Sequence, residues 1–235
     1  MSVPVVQFDR VVKNYSGLRP LRVAALELQP GERVAISGMD AVAAELFVNL
    51  VTGATLPDDG VVRAFGKSTA EIGSGDEWLA SLDQFGIVSP RGILLEGATL
   101  QQNLVMPFTL QIDPVQDEIA ERVASLAAEC GIDAGSLVRP AVELPPDVRA
   151  RAHLARAVAL EPQLVIMEHP TAGVPDAQRA AFARDVAAVV QSRGMTVLAI
   201  TMDEEFAQAV AHRSLALNGA TGALMPWKRK RGWFR

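Results

Sequence analysis

Short apolar runs rich in β-branched residues alternate along the chain with longer, alanine-rich runs whose apolar positions recur every three or four residues. The first pattern predicts strands and the second predicts helices. The predicted strands span residues 3–8, 23–28, 33–37, 60–65, 164–167 and 196–201. The predicted helices span residues 41–51, 117–130, 147–160, 177–193 and 204–211, and residues 94–144 are predicted to be mostly helical.

Two of these strands, 164–167 and 196–201, are apolar almost throughout rather than alternating between apolar and polar residues. Such runs are typical of strands that are buried on both faces, as in a parallel sheet covered by helices. The strand 33–37 is followed directly by the helix 41–51, which forms a strand–loop–helix unit. The pattern therefore predicts an α/β fold.

Composition and charge narrow the classes of protein that the chain can belong to. With 235 residues, 49% of them hydrophobic and 21% charged, the chain can bury a core and is neither disordered nor a coiled coil. Its net charge is -5, but five basic residues lie within 228–235, so residues 1–227 hold 17 basic against 27 acidic side chains. An acidic body repels phosphate, which predicts that the chain does not bind nucleic acid.

The basic, aromatic segment 227–235 is predicted to be a tail outside the folded domain. It contains Trp227, Trp233 and Phe234 among its basic residues, so contact with anionic lipid or an acidic partner is one interpretation. A solvated terminus is the other.

The single cysteine, Cys130, rules out a disulfide framework and a thiolate metal site, and its apolar surroundings predict a core residue. No apolar run approaches the ~18 residues that a transmembrane helix needs, and the first residues lack the pattern of a secretory signal. A cytosolic location is therefore expected.

A phosphate-binding loop is present in outline where the strand 33–37 meets the following helix. In such a loop, Gly-x-x-x-x-Gly-Lys-Ser/Thr, glycine N–H groups surround the phosphates, lysine reaches the terminal ones and the hydroxyl holds magnesium. Counted from Gly38, these positions are Ala43, Ala44 and Glu45, and Asp40 adds a second carboxylate. The loop therefore lacks its second glycine, its ammonium group and its hydroxyl.

Lysine is scarce throughout the chain. Only Lys13, Lys67, Lys228 and Lys230 are lysines, so none lies on the phosphate loop. Residues 66–69, Gly-Lys-Ser-Thr, match the end of a phosphate loop, but they follow a predicted strand rather than a glycine-rich turn, and we interpret the match as a coincidence.

Five segments together resemble the ATP-binding cassette (ABC) family, over about 190 residues in consistent register. Tyr15 resembles the aromatic residue that stacks on adenine, and 49–53 resembles the stretch after the phosphate loop. Residues 144–148 resemble the signature segment, 164–173 resemble the Walker B strand and its turn, and 201–203 resemble the switch site. The chain is thus similar to the nucleotide-binding subunit of an ABC transporter.

The resemblance implies roles that several residues of this chain cannot perform. The Walker B carboxylates for magnesium and for the attacking water correspond to Glu168 and His169. The switch histidine corresponds to Met202, and the glutamine of the loop that contacts the membrane subunit corresponds to Pro90. We expect no intact catalytic residue, with Glu168, His169 and Met202 as degenerate positions.

The signature segment Leu-Ser-Gly-Gly-Gln, which contacts the γ-phosphate of the partner's nucleotide, corresponds to Leu144, Pro145, Pro146, Asp147 and Val148. Proline has no N–H to donate, so contacts to phosphate are lost through the backbone itself. We expect this segment to contribute little to a nucleotide site.

The fold implied by the resemblance is a P-loop NTPase-like ABC ATPase fold, with a mixed sheet, an antiparallel β subdomain and an inserted helical subdomain. Residues 1–226 would form one nucleotide-binding domain, with the helical subdomain at about 91–150. The implied partners are an integral membrane permease and a second ABC subunit, in a homodimer or a heterodimer. The chain would lie on the cytoplasmic side, peripheral on the inner face of the cell membrane.

The function expected from these residues is that of a degenerate subunit with little or no ATP hydrolysis, acting as a structural or regulatory partner. No cofactor and no metal site are expected, and weak binding of ATP and Mg is left open at Tyr15 and the degenerate loop. Two alternatives remain: a slow ATPase that uses Glu168 for magnesium, and a free cytosolic interaction module. Glu168 and His169 are also interpretable as an acid–base pair.

Overall fold

The computed structural model describes residues 2–227, which form two β-sheets with helices packed against them. The basic residues of the predicted tail, 228–235, lie outside the described residues. The strands are β1 (Val6–Lys13), β2 (Leu21–Leu28), β3 (Arg33–Ser37), β4 (Asp59–Ala64), β5 (Lys67–Ser68), β6 (Phe85–Val88), β7 (Leu164–Glu168), β8 (Val197–Ile200), β9 (Arg213–Leu217) and β10 (Leu224–Pro226). The helices are α1 (Ala41–Val51), α2 (Gly75–Leu82), α3 (Leu100–Val105), α4 (Asp117–Glu129), α5 (Ala134–Leu137), α6 (Pro146–Val158), α7 (Asp176–Ser192) and α8 (Glu204–Val210).

The two sheets differ in direction and in position. The smaller sheet is antiparallel with the order β2-β1-β4-β5, and the larger has the order β10-β9-β3-β8-β7-β6. In the larger sheet the strands from β9 to β6 are parallel, and only β10 runs the other way. The carboxyl ends of β3, β8 and β7 therefore lie side by side along one edge of the sheet.

Each face of the large sheet has its own hydrophobic core. On one face, α1 packs between the large sheet and the small antiparallel sheet, and the rings of Phe8 and Phe47 stack with centroids 4.7 Å apart. On the other face, α6, α7 and the short helices of the middle segment cover the sheet, and Phe182 lies against Phe206. The antiparallel sheet thus helps to place α1, and with it the phosphate loop.

Local sequence explains the ends of the helices nearest the candidate site. Asp40 begins α1 by accepting a hydrogen bond from the N–H of Ala43 through its side chain, and Gly53, at φ 72°, follows its end. Pro146 is the first residue of α6, where its fixed φ suits a helix and its missing N–H costs nothing.

Several boundaries of the predicted strands and helices are wrong. β1 extends to Lys13 instead of ending at residue 8, because an irregularity near Arg10, at φ 50°, lets the strand continue. Residues 94–144 hold the 13-residue helix α4 and the shorter helices α3 and α5, separated by loops, rather than a mostly helical stretch. α2 and β6 are absent from the prediction.

β6 is hard to recognise because it is four residues long and contains Gly86. A Cβ atom on Gly86 would lie 2.1 Å from the carbonyl oxygen of Ala157 in α6, so only glycine allows this approach of helix and strand. Trp227, assigned to the tail, is half-buried and its N–H donates to the carbonyl oxygen of Ser214. No helix among residues 2–227 has the length and apolar character needed to cross a membrane.

Candidate functional site

The parallel sheet brings three of the predicted site positions together. Gly38 follows β3, Met202 follows β8 and Glu168 ends β7, and these are neighbouring strands. The Gly38 N–H points at the sulfur of Met202, at 3.3 Å. The phosphate-loop position and the switch position are therefore in direct contact.

Gly38 is required by packing as well as by any ligand. Its φ is 92°, a conformation that favours glycine, and a Cβ atom would lie 2.7 Å from the carbonyl oxygen of Leu217 in β9. The close approach of β3 and β9 thus explains this glycine without a nucleotide.

The N-terminus of α1 is capped by the chain itself. The Asp40 carboxylate accepts a hydrogen bond of 2.8 Å from the N–H of Ala43, one of the groups that would face a bound phosphate. A helix N-terminus attracts one negative charge through its dipole and its free N–H groups. Here a carboxylate of the protein meets that requirement.

Arg91 lies between two acidic side chains that the sequence places far apart. One guanidinium nitrogen is paired with the carboxylate of Glu45, on the second turn of α1, and another donates to the Glu168 carboxylate at 2.6 Å. Ser89 also donates to that Glu168 oxygen, at 3.0 Å, and accepts from the Arg91 backbone N–H. Glu168 is 2% exposed, so its charge is balanced by Arg91 inside the protein.

Glu45 and Glu168 correspond to the two positions that hold magnesium in the family that the chain resembles. The residues present here do not fit a magnesium ion between them. Mg²⁺ takes oxygen ligands in an octahedral arrangement with several waters. The space between Glu45 and Glu168 is bridged by a guanidinium, whose charge repels a second cation. Across residues 2–227, no cluster of three or more potential metal ligands is present.

The lysines of the described residues are engaged elsewhere. Lys13 pairs with Asp58 at 2.6 Å, next to the antiparallel sheet. Lys67 lies in β5 and pairs with Glu77 of α2, so the Gly-Lys-Ser-Thr match belongs to the antiparallel sheet and not to a phosphate loop.

His169 is held in an unusual backbone conformation directly after β7. Its φ is 41°, and such a conformation costs a non-glycine residue about 1–3 kcal/mol. Its N–H donates to the carbonyl oxygen of Ile200 at 2.8 Å, while its Nε2 atom is buried without a hydrogen-bond partner. The bonds of Glu168 go to Ser89 and Arg91, so the structure does not form the acid–base pair considered from the sequence.

Tyr15 borders a separate cavity of about 530 Å³, which also reaches Arg19, Gly38 and Asp40. Its ring covers Gly17 closely enough that a Cβ atom there would lie 2.5 Å from it. A ring and the degenerate phosphate loop therefore face one cavity, but the loop presents the Asp40 carboxylate to it.

The signature segment does not join these residues within one chain. Leu144 precedes α6, Pro145 lies at its N-cap, and Pro146, Asp147 and Val148 form its first turn. The Asp147 carboxylate pairs with Arg151 at 3.1 Å, one turn along the same helix.

A groove of about 350 Å³ lies between β6, α6 and the segment 89–93, and we call it the α6 groove. Three of its apolar side chains are exposed: Ile87 by 42%, Ile93 by 77% and Leu160 by 52%. His153 also lines it, and burial, together with the nearby arginines, lowers the pKa of that imidazole. The groove combines apolar surface with a partly buried histidine.

Solved structures of the same architecture define the class of the fold. The ADP- and phosphate-bound dimer of the ATP-binding cassette MJ0796 superposes with a TM-score of 0.77, covering 97% of this chain and 100% of the other at 20% identity. cbiO1 from Clostridium perfringens, part of the ABC transporter complex cbiONQ, gives a TM-score of 0.78 over 95% of this chain and 88% of that one, also at 20% identity. The protein has an ABC ATPase fold.

Sequence comparison points the same way. The Fe(3+) ions import ATP-binding protein FbpC 2 of Rhodococcus jostii is 30% identical over 209 residues, which are 88% of this chain and 58% of the relative. The lipoprotein-releasing system ATP-binding protein LolD of Chromohalobacter salexigens is 31% identical over 146 residues, 62% of this chain and 61% of LolD. No family model matches the chain. These relatives are named as ATP-binding proteins of import and release systems, and the chain shares the ABC ATPase fold.

The chain spans between 54% and 58% of the length of the FbpC relatives that it matches.

Arg91 and Ser89 are the site residues that sequence reasoning missed. A signal was present, since Glu45 adds a carboxylate to the one at the Walker B position, Glu168, and the loop has no lysine to balance them. Which arginine supplies it depends on the pairing of β6 with β7, which places the residues after β6 beside Glu168.

Proposed function

We propose that the chain is a catalytically degenerate ABC-type subunit that binds a membrane permease as a structural or regulatory partner and hydrolyses little or no ATP. The observation that carries the proposal is the Asp40 carboxylate, since it accepts a hydrogen bond from the N–H of Ala43, a group that would face a bound phosphate, and adds negative charge there. A nucleotide would have to displace this carboxylate and then lie beside it.

The chemistry of phosphoryl transfer explains why the losses are severe. Catalysis depends on positioning and on neutralising charge at the phosphates, and the removal of one preorganised donor costs about 2.7–4 kcal/mol. In this chain the ammonium position is Ala44, the hydroxyl position is Glu45 and the water-activating position is His169. These changes act on one reaction, so their effects do not add simply, but each one opposes hydrolysis.

The α6 groove supports the permease part of the proposal. Exposed isoleucine and leucine side chains around a concave surface are typical of a binding site for a partner. The sequence relatives are ATP-binding subunits of transporters, and the resemblance implies that a permease helix enters at the helical subdomain. The chain would then be peripheral on the inner face of the cell membrane.

The effect of pairing with a second ABC subunit would differ between a homodimer and a heterodimer. In a homodimer, both composite sites would join a loop capped by Asp40 to a signature with Pro145 and Pro146, and neither would function. In a heterodimer with an intact subunit, the partner's loop would still face two prolines that cannot donate hydrogen bonds. The names of the relatives range from iron import to lipoprotein release, so the proposal names no cargo.

Equilibrium binding of a fluorescent ATP analogue, with and without magnesium, tests the nucleotide part. We expect no saturable magnesium-dependent binding and no phosphate release from the purified chain. A matched variant, Asp40→Ser with Ala44→Lys and Glu45→Ser, restores the loop chemistry and should bind more tightly than the wild type. Magnesium-dependent binding with turnover by the wild type would favour the slow ATPase instead, and Tyr15→Ala then tests whether the analogue stacks there.

Co-purification with a candidate permease, chosen from the genes that neighbour the gene for this chain, tests the partner part. We expect the two proteins to elute together in detergent, and Ile93→Glu, which places a charge in the α6 groove, to separate them. Val138→Glu is the matched control, since Val138 is similarly exposed, by 72%, and does not line the groove. Failure of the wild type to retain the permease would favour a free interaction module.

A further inference from the structure

Arg91 forms ion pairs with two separate elements of the fold. It pairs with Glu45 on α1 and with Glu168 at the end of β7, and it is itself part of the segment 89–93 that follows β6. One positive group thus joins the phosphate-loop helix, the central sheet and a loop.

The other side of the same segment forms a wall of the α6 groove. The Ile93 carbonyl oxygen accepts a hydrogen bond of 2.6 Å from the guanidinium of Arg156 in α6. Gly92 lies so close to His153 that a Cβ atom would be 2.9 Å from its Nδ1 atom. A displacement of Arg91 would therefore also displace Gly92 and Ile93, which line the groove.

A cation between two carboxylates neutralises their charge and holds them together, as a bridging metal ion would. Because Glu168 is almost fully buried, its charge must be balanced locally, and Ser89 alone cannot supply a positive charge. The guanidinium is covalently attached, so the bridge is present at any concentration of nucleotide or metal.

We propose that Arg91 is an internal cation that replaces a bound metal ion and holds the segment 89–93, and so one wall of the α6 groove, in place without a nucleotide. The inference rests on the proposed docking role of the groove, and it adds that the docking surface is formed permanently. It makes Arg91 a positioning residue rather than a catalytic one.

Hydrogen exchange of the purified chain tests this directly. The informative amides are Gly92, which donates to the Ser89 carbonyl oxygen at 2.9 Å, and Leu95, which donates to the Asn103 side chain at 2.7 Å. We expect Arg91→Met to speed exchange at both amides about tenfold, the change that a loss of about 1.4 kcal/mol produces. Wild-type exchange should not change when millimolar magnesium chloride or Mg-ATP is added.

The control is Arg213→Met, because Arg213 is 43% exposed against 41% for Arg91 and pairs with Glu32 at 2.9 Å, away from the segment. Its exchange at Gly92 and Leu95 should match the wild type. Arg91→Lys, which keeps a cation, should restore most of the protection.

The response to magnesium ions distinguishes a cation that replaces a metal ion from a residue that only packs, because loss of a packing residue would not create a response to magnesium. In Arg91→Met the two carboxylates are freed, so millimolar magnesium chloride should raise the melting temperature by bridging them, and adding Glu168→Gln should abolish this gain. Exchange at Gly92 should stay fast in the presence of magnesium, because a bridging ion is not attached to the segment. The double variant has no unpaired buried carboxylate, so it remains measurable if Arg91→Met alone fails to fold, and its exchange at Gly92 should still be fast.

Unchanged exchange in Arg91→Met, protection of the wild type by magnesium, or absence of stabilisation by magnesium in a folded Arg91→Met would each overturn the proposal. The measurement uses neither nucleotide turnover nor a permease. Its failure therefore leaves the proposed function standing, and failure of the permease experiment leaves the role of Arg91 standing.

Discussion

Replacing Arg91 should lower the free energy of unfolding more than replacing its ion-pair partner Glu168. Arg91→Met leaves the Glu168 carboxylate buried with only Ser89 as a partner, and breaking a buried pair in this way costs about 3–5 kcal/mol. Because Arg91 is 41% exposed, water reaches the site, and we expect the lower end, about 3 kcal/mol. For a domain of this size that corresponds to a fall in melting temperature of about 6–12 °C.

Glu168→Gln removes the same pair at a smaller cost. Glutamine keeps the volume and can accept from Ser89, and the half-exposed Arg91 retains Glu45 and water as partners. The loss is that of one hydrogen bond between charged groups, about 1.5–3 kcal/mol, and exposure places it near the lower value. The double variant should be more stable than Arg91→Met alone, since it contains no unpaired buried charge.

Urea unfolding followed by circular dichroism measures all four proteins of this double-mutant cycle. The expected coupling free energy between the two positions is about 2 kcal/mol. If Glu168→Gln destabilises as much as Arg91→Met, or if the two effects add, then burial of the carboxylate is not what Arg91 compensates.

Further predictions concern single residues in and around the site. Asp40→Ala should lower the free energy of unfolding by about 1 kcal/mol through loss of the helix cap, while Asp40→Asn should retain most of it, as thermal melts would show. His169→Gly should be about 1 kcal/mol more stable than His169→Ala, because glycine accepts φ 41° without strain, and equal melting temperatures would contradict this. Phe47→Ala should cost about 3–5 kcal/mol in urea unfolding, since Phe47 is fully buried against Phe8. The lowered pKa of His153 means that the folded state favours the neutral imidazole. The stability due to this residue is therefore present above the unfolded pKa, about 6.5, and falls as the pH drops below it. His153→Gln should flatten that part of a curve of unfolding free energy against pH.

The fold was predictable because its signals are local. The bounds of β3 and α1 were predicted correctly, since an apolar strand, a capping aspartate and a following glycine occur within about twenty residues of one another. β6 was missed because its only signal is four residues around Gly86, and the need for that glycine lies in α6, far along the chain.

The residue types at the expected site positions can be read from the sequence, whereas their role in binding a nucleotide stays a prediction. Replacement of the loop lysine by Ala44 and of the loop hydroxyl by Glu45 can be recognised in the sequence because the spacing from Gly38 is constant. What each replacement does could not be predicted in this way, since it depends on which side chains meet at the ends of the strands.

The amino-acid sequence by itself determined the alternation of strands and helices, the resemblance to ABC subunits and the residue types that stand at the positions counted from Gly38. Only the tertiary structure decided how the remaining charges are balanced. The strand order places the residues after β6 beside β7, and α1 begins where β3 ends, so one guanidinium reaches both Glu45 and Glu168. Ion pairing acts over a few ångströms in space and leaves no fixed spacing in the sequence, which is why the role of Arg91 required the fold.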